Sequence, residues 1–141
     1  MSDKIIYPRS SRETMDGWVH LPRFIDKVRL HLAGKLHPDY QENFTQGFDG
    51  FWLEAAGVNT DKFIEVIQNT ITDGEVCDWI RSNVQKSAEA KAAFNESVLN
   101  RGRDSEELKA RLKWRLEGAG LSHRTDIETF VDFIDADEKR I

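Results

Sequence analysis

The sequence predicts an all-α protein: a compact single-domain helical bundle of six to seven helices, some of them short, over residues 1–141. Three observations carry this. Apolar residues recur at intervals of three and four, the spacing of a helix with one buried face. Oxygen-bearing cap residues stand just ahead of these stripes and glycines just after them. The β-branched residues fall on the same stripes and not in alternating runs. Ile5-Ile6-Tyr7 reads as extended, but no second segment offers it a partner strand.

Residues 1–20 read as an extended entry with a turn at Asp16-Gly17, and residues 21–141 as helices. Leu21, Phe24, Ile25, Val28 and Leu32 mark the first helix. Pro22 suits its first turn, where a missing N–H would have no partner, and Gly34 suits its end. Residues 37–48 look irregular. A short helix over Asp49–Ala56 should bury Phe51, Trp52 and Ala55 and stop at Gly57. Asn59 or Thr60 caps the next, with Phe63, Ile64, Ile67 and Ile71 on its stripe. Thr72-Asp-Gly-Glu75 has capping-box spacing and precedes Val76, Trp79, Ile80 and Val84. Ser87 opens an Ala-rich helix with Phe94 and Val98 inward, broken by Asn100-Arg-Gly102. Asp104-Ser-Glu-Glu107 places acidic groups where a helix dipole favours them, ahead of Leu108, Leu112 and Leu116. Gly118 and Gly120 end that helix. Thr125-Asp-Ile-Glu128, a second capping-box spacing, starts the last, with Ile127, Phe130, Val131 and Ile134 inward and a charged run from Asp135 to Arg140.

Eight Phe and four Trp in a chain that is 39% apolar are enough for a real core, and at this length no metal or disulfide staple is required. Cys77 is the only cysteine, so no internal disulfide forms, as expected in a reducing compartment. The N-terminal Met-Ser-Asp-Lys shows no leader-like apolar run, and no window approaches the ~18 apolar residues of a membrane span. A soluble cytoplasmic protein is expected, not a membrane protein. The net charge of −5 argues against nucleic acid as partner. The charge is uneven: residues 1–36 hold seven Lys/Arg and four Asp/Glu, and the remainder thirteen and twenty-one.

The basic region is the strongest functional signal. Arg9 and Arg12 arrive from the entry segment, and Arg23, Lys27 and Arg29 lie on the first helix with Asp26 three residues from both Arg23 and Arg29. Guanidinium forks match the oxygens of carboxylates and phosphates, so this set suits an oxyanion. Such a run is also what a solvated helix face looks like, or a clamp onto the acidic C-terminal cluster Asp132, Asp135, Asp137 and Glu138. That acidic cluster lacks EF-hand spacing, and His20, His31, His37 and His123 lack zinc spacing, so no metal is assigned. Ala33-Gly-Lys35 lacks the glycine pattern of a phosphate-binding loop, and no cofactor motif appears. A lone His is read as a satisfied surface or core residue, and Cys77 as a filler. Trp18, Trp52 and Trp79 fall on apolar stripes; Trp114 lies off its helix's leucine line and points to a partner or homodimer contact.

Taken together, Pro8-Arg-Ser10, Arg12, Gly17, Leu21-Pro-Arg23, Asp26-Lys27, Arg29 and Ala33-Gly34 resemble the signature of the DUF5069 domain family of uncharacterised bacterial proteins. Asp49, Gly57, Thr72-Asp73, Trp79 and the closing Phe130–Glu138 segment extend the resemblance over most of the chain. Ser11 stands where a second Pro is expected and Lys139 where Gly is expected. Residues 37–48 replace a shorter Cys-Pro-Leu-Asp type of link, which suggests a subgroup. The resemblance implies a bacterial, cytosolic, mainly helical protein and supplies no reaction.

The residues themselves favour a non-enzymatic binding module that takes an acidic protein or a small anion through Arg9, Arg12, Arg23, Asp26, Lys27 and Arg29. The alternative is an enzyme acting on a phosphorylated or carboxylated metabolite, with Asp26 or His31 moving the proton and the arginines as clamp. A purely structural role for the charges is the third reading.

Overall fold

A computed structural model describes residues 5–141; the N-terminal Met-Ser-Asp-Lys lies outside the described residues. The described residues form seven α-helices, one short 3-10 turn and a two-stranded hairpin. The chain groups into two compact units, Met1–Phe94 and Asn95–Ile141.

In the first unit, Asp16 and Gly17 take positive φ (50° and 83°) and turn the chain between β1 (Thr14–Met15) and β2 (Trp18–Val19). The strands pair antiparallel, Thr14 opposite Val19 and Met15 opposite Trp18. Two consecutive positive φ values suit the right-handed twist of a tight hairpin. The sequence signalled the turn, but strands of two residues are too short for alternation to show. Helix α1 (Leu21–Leu32) follows at once, with Pro22 in its first turn. Its N-cap is His20, held at φ 73°. A non-glycine residue in this region is strained and persists only where its surroundings fix it. Here the His20 N–H donates to the carbonyls of Ser11 and Glu13, and its carbonyl accepts from Phe24 N–H.

Beyond the 3-10 turn at Pro38–Tyr40 come α2 (Gly47–Ala56), α3 (Thr60–Gln68) and α4 (Asp73–Asn83). Asn59 caps α3 through the N–H groups of Asp61 and Lys62. Thr72 and Glu75 form the expected capping box on α4. Helix α1 packs against α2 and α3, and α3 against α4. The core is aromatic. Trp18 meets Trp52 and Phe94 edge-on, while Phe24 packs on Phe63 at 4.5 Å between ring centroids.

The α2 face differs from expectation. Leu53 and Ala56 are buried with Trp52, whereas Phe51 is exposed. The helix is turned so that Asp49 enters the interior, where it has partners from α1. Trp79 is only half-buried, and Leu32 and Ile71 are exposed. Both of those lie at or beyond a helix end, where the stripe has run past the surface it packs on.

Helix α5 (Ala88–Leu99) begins after Ser87, whose hydroxyl accepts from Ala90 N–H. The boundary between the units falls within it. In the second unit, α6 (Glu106–Gly118) is capped by Ser105 and buries Leu112 and Leu116. Helix α7 (Phe130–Asp137) starts four residues later than the Thr125–Glu128 spacing predicts. Thr129 and Asp132 form its capping box instead. Two contacts decide this. Arg124 forks onto Asp126 (2.8 and 2.7 Å), holding the earlier segment in a turn. Phe130 N–H is already committed to the Arg101 carbonyl at 3.0 Å. Ile127 is nonetheless buried, in the cluster of Leu112, Leu116, Phe133 and Ala136.

Candidate functional site

The residues of the basic region occupy three depths, and their partners differ at each.

Deepest is a string of side chains around Asp49, which is fully buried. Its Oδ1 lies 2.6 Å from His20 Nε2, and its Oδ2 lies 2.7 Å from Lys27 Nζ and 3.0 Å from Thr45 N. The other ring nitrogen, His20 Nδ1, lies 2.9 Å from Ser11 Oγ. Burial pushes the Asp49 carboxyl up, but the His20 hydrogen bond and the Lys27 charge outweigh it and hold the group below the usual carboxylate range. Burial pulls His20 down by more than Asp49 raises it. The consistent arrangement is a neutral imidazole. Nε2–H donates to Asp49, and Nδ1 accepts the Ser11 hydroxyl proton.

Serine, histidine and aspartate in sequence resemble a nucleophilic triad, and the arrangement is not one. Ser11 and Asp49 have no exposed surface and His20 has 2%. The string joins the entry loop, the start of α1 and α2. Removing one member of such a buried pair leaves the other charge uncompensated, which typically costs about 3–5 kcal/mol. Lys27, expected on a charged face, is therefore an internal counter-ion.

Arg23 is also inside. It is 4% exposed, its Nη1 donates to the carbonyls of Pro8 and Arg9 (3.4 and 3.2 Å), and its guanidinium lies 5.5 Å from the Tyr40 ring centroid. Helical spacing placed Asp26 beside Arg23 and Arg29; the fold gives it to Arg9. Arg9 Nε and Nη2 fork onto the two Asp26 oxygens at 3.0 Å each, and Arg9 N–H adds a third bond at 2.8 Å. Asp26 orients this arginine and is not free to act as a base.

At the surface two guanidinium groups converge on one carboxylate. Arg9 Nη1 lies 2.8 Å from Asp73 Oδ2, and Arg29 Nη1 lies 2.7 Å from Asp73 Oδ1. These three side chains are 33%, 32% and 38% exposed. Burial raises the Asp73 carboxyl, but the hydrogen bonds from Arg9 and Arg29 outweigh it, leaving the group below its ordinary value. Arg9 is held above its ordinary value chiefly by Asp26. Arg29 Nη2 is buried and has no hydrogen-bond partner among the described residues. Arg12 is exposed, and its N–H donates to Ser10 Oγ.

The sequence did not single out Asp73 or Asp49 for chemistry. Locally, Asp73 is part of a cap and Asp49 stands at an expected helix start. The side chains they pair with, Arg9 and Arg29 for Asp73 and His20 and Lys27 for Asp49, all lie far off along the chain, beyond any local signal.

Of the remaining candidates, His31 is exposed and stacks on Phe44 at 4.6 Å, and His37 Nδ1 accepts from Asp39 N–H. Cys77 is a half-buried free thiol. Trp114 is 70% exposed. In the C-terminal cluster Asp132 is a cap, Asp135 and Glu138 are buried, and Glu138 pairs with Arg140. Among the described residues no group of three His, Cys, Asp or Glu is placed to hold a metal ion. No helix among them is long and apolar enough to cross a membrane.

Comparison with known proteins agrees with the sequence pattern. Among curated proteins none matches the chain. The family profile described as a domain of unknown function, DUF5069, matches residues 5–140, nearly the whole length, and the chain therefore belongs to the DUF5069 family.

Proposed function

We propose that this chain is a binding module that recognises an oxyanion, either on an acidic protein segment or on a small phosphate or carboxylate, through Arg9 and Arg29, with Arg12 from the entry segment adding field. The observation that carries the reading is the convergence of two third-exposed guanidinium groups on Asp73. That carboxylate sits in the position an external oxyanion would take. The buried residues of the expected set serve it from behind: Asp26 fixes Arg9, and Arg23 and Lys27 hold the loop and α1 that present the two forks.

Recognition would then be an exchange, with the ligand's oxygens replacing those of Asp73 on Arg9 Nη1 and Arg29 Nη1. Because Asp73 competes, affinity is modest and falls with salt. The enzyme reading would need a free proton-transfer group at this cluster. Asp26 is engaged by three donors of Arg9, and His31 is stacked on Phe44.

The test is a thermal-shift comparison of the protein and Arg29→Ala against phosphate, dicarboxylates and an acidic peptide at constant ionic strength. A ligand at 100 times its Kd adds about 2.7 kcal/mol, several degrees for a domain of this size. The reading predicts a shift that Arg29→Ala loses. No shift with any anion, or an equal shift in the variant, contradicts it.

A further inference from the structure

The second unit carries a separate feature, a groove of about 430 Å³ along α6. Its formation follows from Gly102. At φ 113° this residue lets the turn after α5 approach the start of α7, where a Cβ would meet Thr129 Cα and Phe130 N at 3.2 Å. The approach brings Arg103 and Glu128 together at 3.6 Å across from α6. Leu112, Leu116 and Ile127, all members of the buried cluster, form the floor. Lys109 and Lys113, one helical turn apart, line the α6 side with Arg103 facing them.

The chemistry is lopsided. Three cations and one carboxylate surround an apolar floor in a chain that is acidic overall. Arg103 has Glu128, and Lys109 has Glu106 at 3.2 Å on an exposed pair, while Lys113 has no ion-pair partner among the described residues. A cavity of this size lies within the range of small-ligand sites, and with four charged residues among its eight lining residues it is more polar than most of them.

We infer that this groove is a site for a small amphipathic anion, with the apolar body on Leu112, Leu116 and Ile127 and a single carboxylate or phosphate head between Lys109 and Lys113. Neither half suffices alone. A bare anion gains only exposed, screened pairing, and a neutral apolar molecule leaves Lys113 unpaired. The site does not depend on the Arg9 and Arg29 cluster and stands or falls separately.

Residue-resolved NMR separates the two, with octyl phosphate as probe and octanol and inorganic phosphate as controls. Octyl phosphate should move the amides of Arg103, Lys113 and Ile127 saturably. Each control should need at least about tenfold more, since a charge-assisted contact or a buried alkyl chain is missing. The double variant Lys109→Glu/Lys113→Glu, whose side chains lie at the surface, should weaken octyl phosphate at least about tenfold and leave octanol unchanged. Shifts confined to the amides around Arg9 and Arg29, equal binding of octanol, indifference to charge reversal, or no saturable shift at all would each overturn the inference.

Discussion

Asp49 shows how much a single residue can decide in this protein. A carboxylate with no exposed surface takes a lysine, an imidazole and a backbone N–H, and in doing so turns α2 on its axis. Asp49→Ala removes the anion and leaves Lys27 buried without it, so we expect a loss of about 3–5 kcal/mol in chemical denaturation. A loss below about 1 kcal/mol would mean that the string relaxes without it. The sequence shows Asp49 as a helix start and as part of the family resemblance, but not as a buried counter-ion, because His20 and Lys27 are far from it along the chain. The same holds for Asp26. Spacing on one helix offered Arg23 and Arg29, yet Arg23 turns inward to loop carbonyls and Arg29 reaches Asp73. Side-chain pairing across elements is set by packing, which local spacing does not encode.

At the scale of elements, most of the architecture was legible because its signals are local. Asn59, Thr72, Ser87 and Ser105 satisfy N–H groups two or three residues ahead, at helix starts the sequence marks; of the Asn59-or-Thr60 pair the cap is Asn59, and within Asp104–Glu107 it is Ser105. Helix α7 shows the limit. Both Thr125-x-x-Glu128 and Thr129-x-x-Asp132 have the right spacing, and the choice rests on Arg124, Asp126 and the Arg101 carbonyl. Thr129→Ala should therefore cost about 1–2 kcal/mol, as loss of a cap does. Thr125→Ala should lie within about 0.5 kcal/mol of the parent, as a surface change does. Urea midpoints of the two variants check this, and a reversed order would restore the earlier start. The hairpin had a legible turn and illegible strands, since two residues make no pattern.

For the whole molecule, the all-α class and the family were both readable from the chain, and its response to pH follows from the buried groups. His20 is depressed by burial, so an unfolded chain takes up a proton near pH 6.5 that the folded one does not. Stability therefore falls as pH drops below about 6.5. Asp49 and Asp73 are depressed by their partners. Their contribution is complete above about pH 4 and is lost as pH falls through their folded values. The melting temperature should decline gently from pH 6.5 and steeply below 4. His20→Asn, which tolerates the positive φ, should remove the first limb and keep the second. A melting temperature that rises on acidification from pH 7 to 5 would contradict the neutral assignment of His20.

The central claim, that Asp73 occupies an oxyanion site, is tested most directly by removing the occupant. Asp73→Asn should melt earlier than the parent in chloride, because Arg9 and Arg29 then face each other without a charge between them. Phosphate at equal ionic strength should restore that loss and stabilise the variant more than it does the parent, at lower concentration. A variant that phosphate stabilises no more than the parent would make the cluster an internal brace and remove the binding role assigned to it.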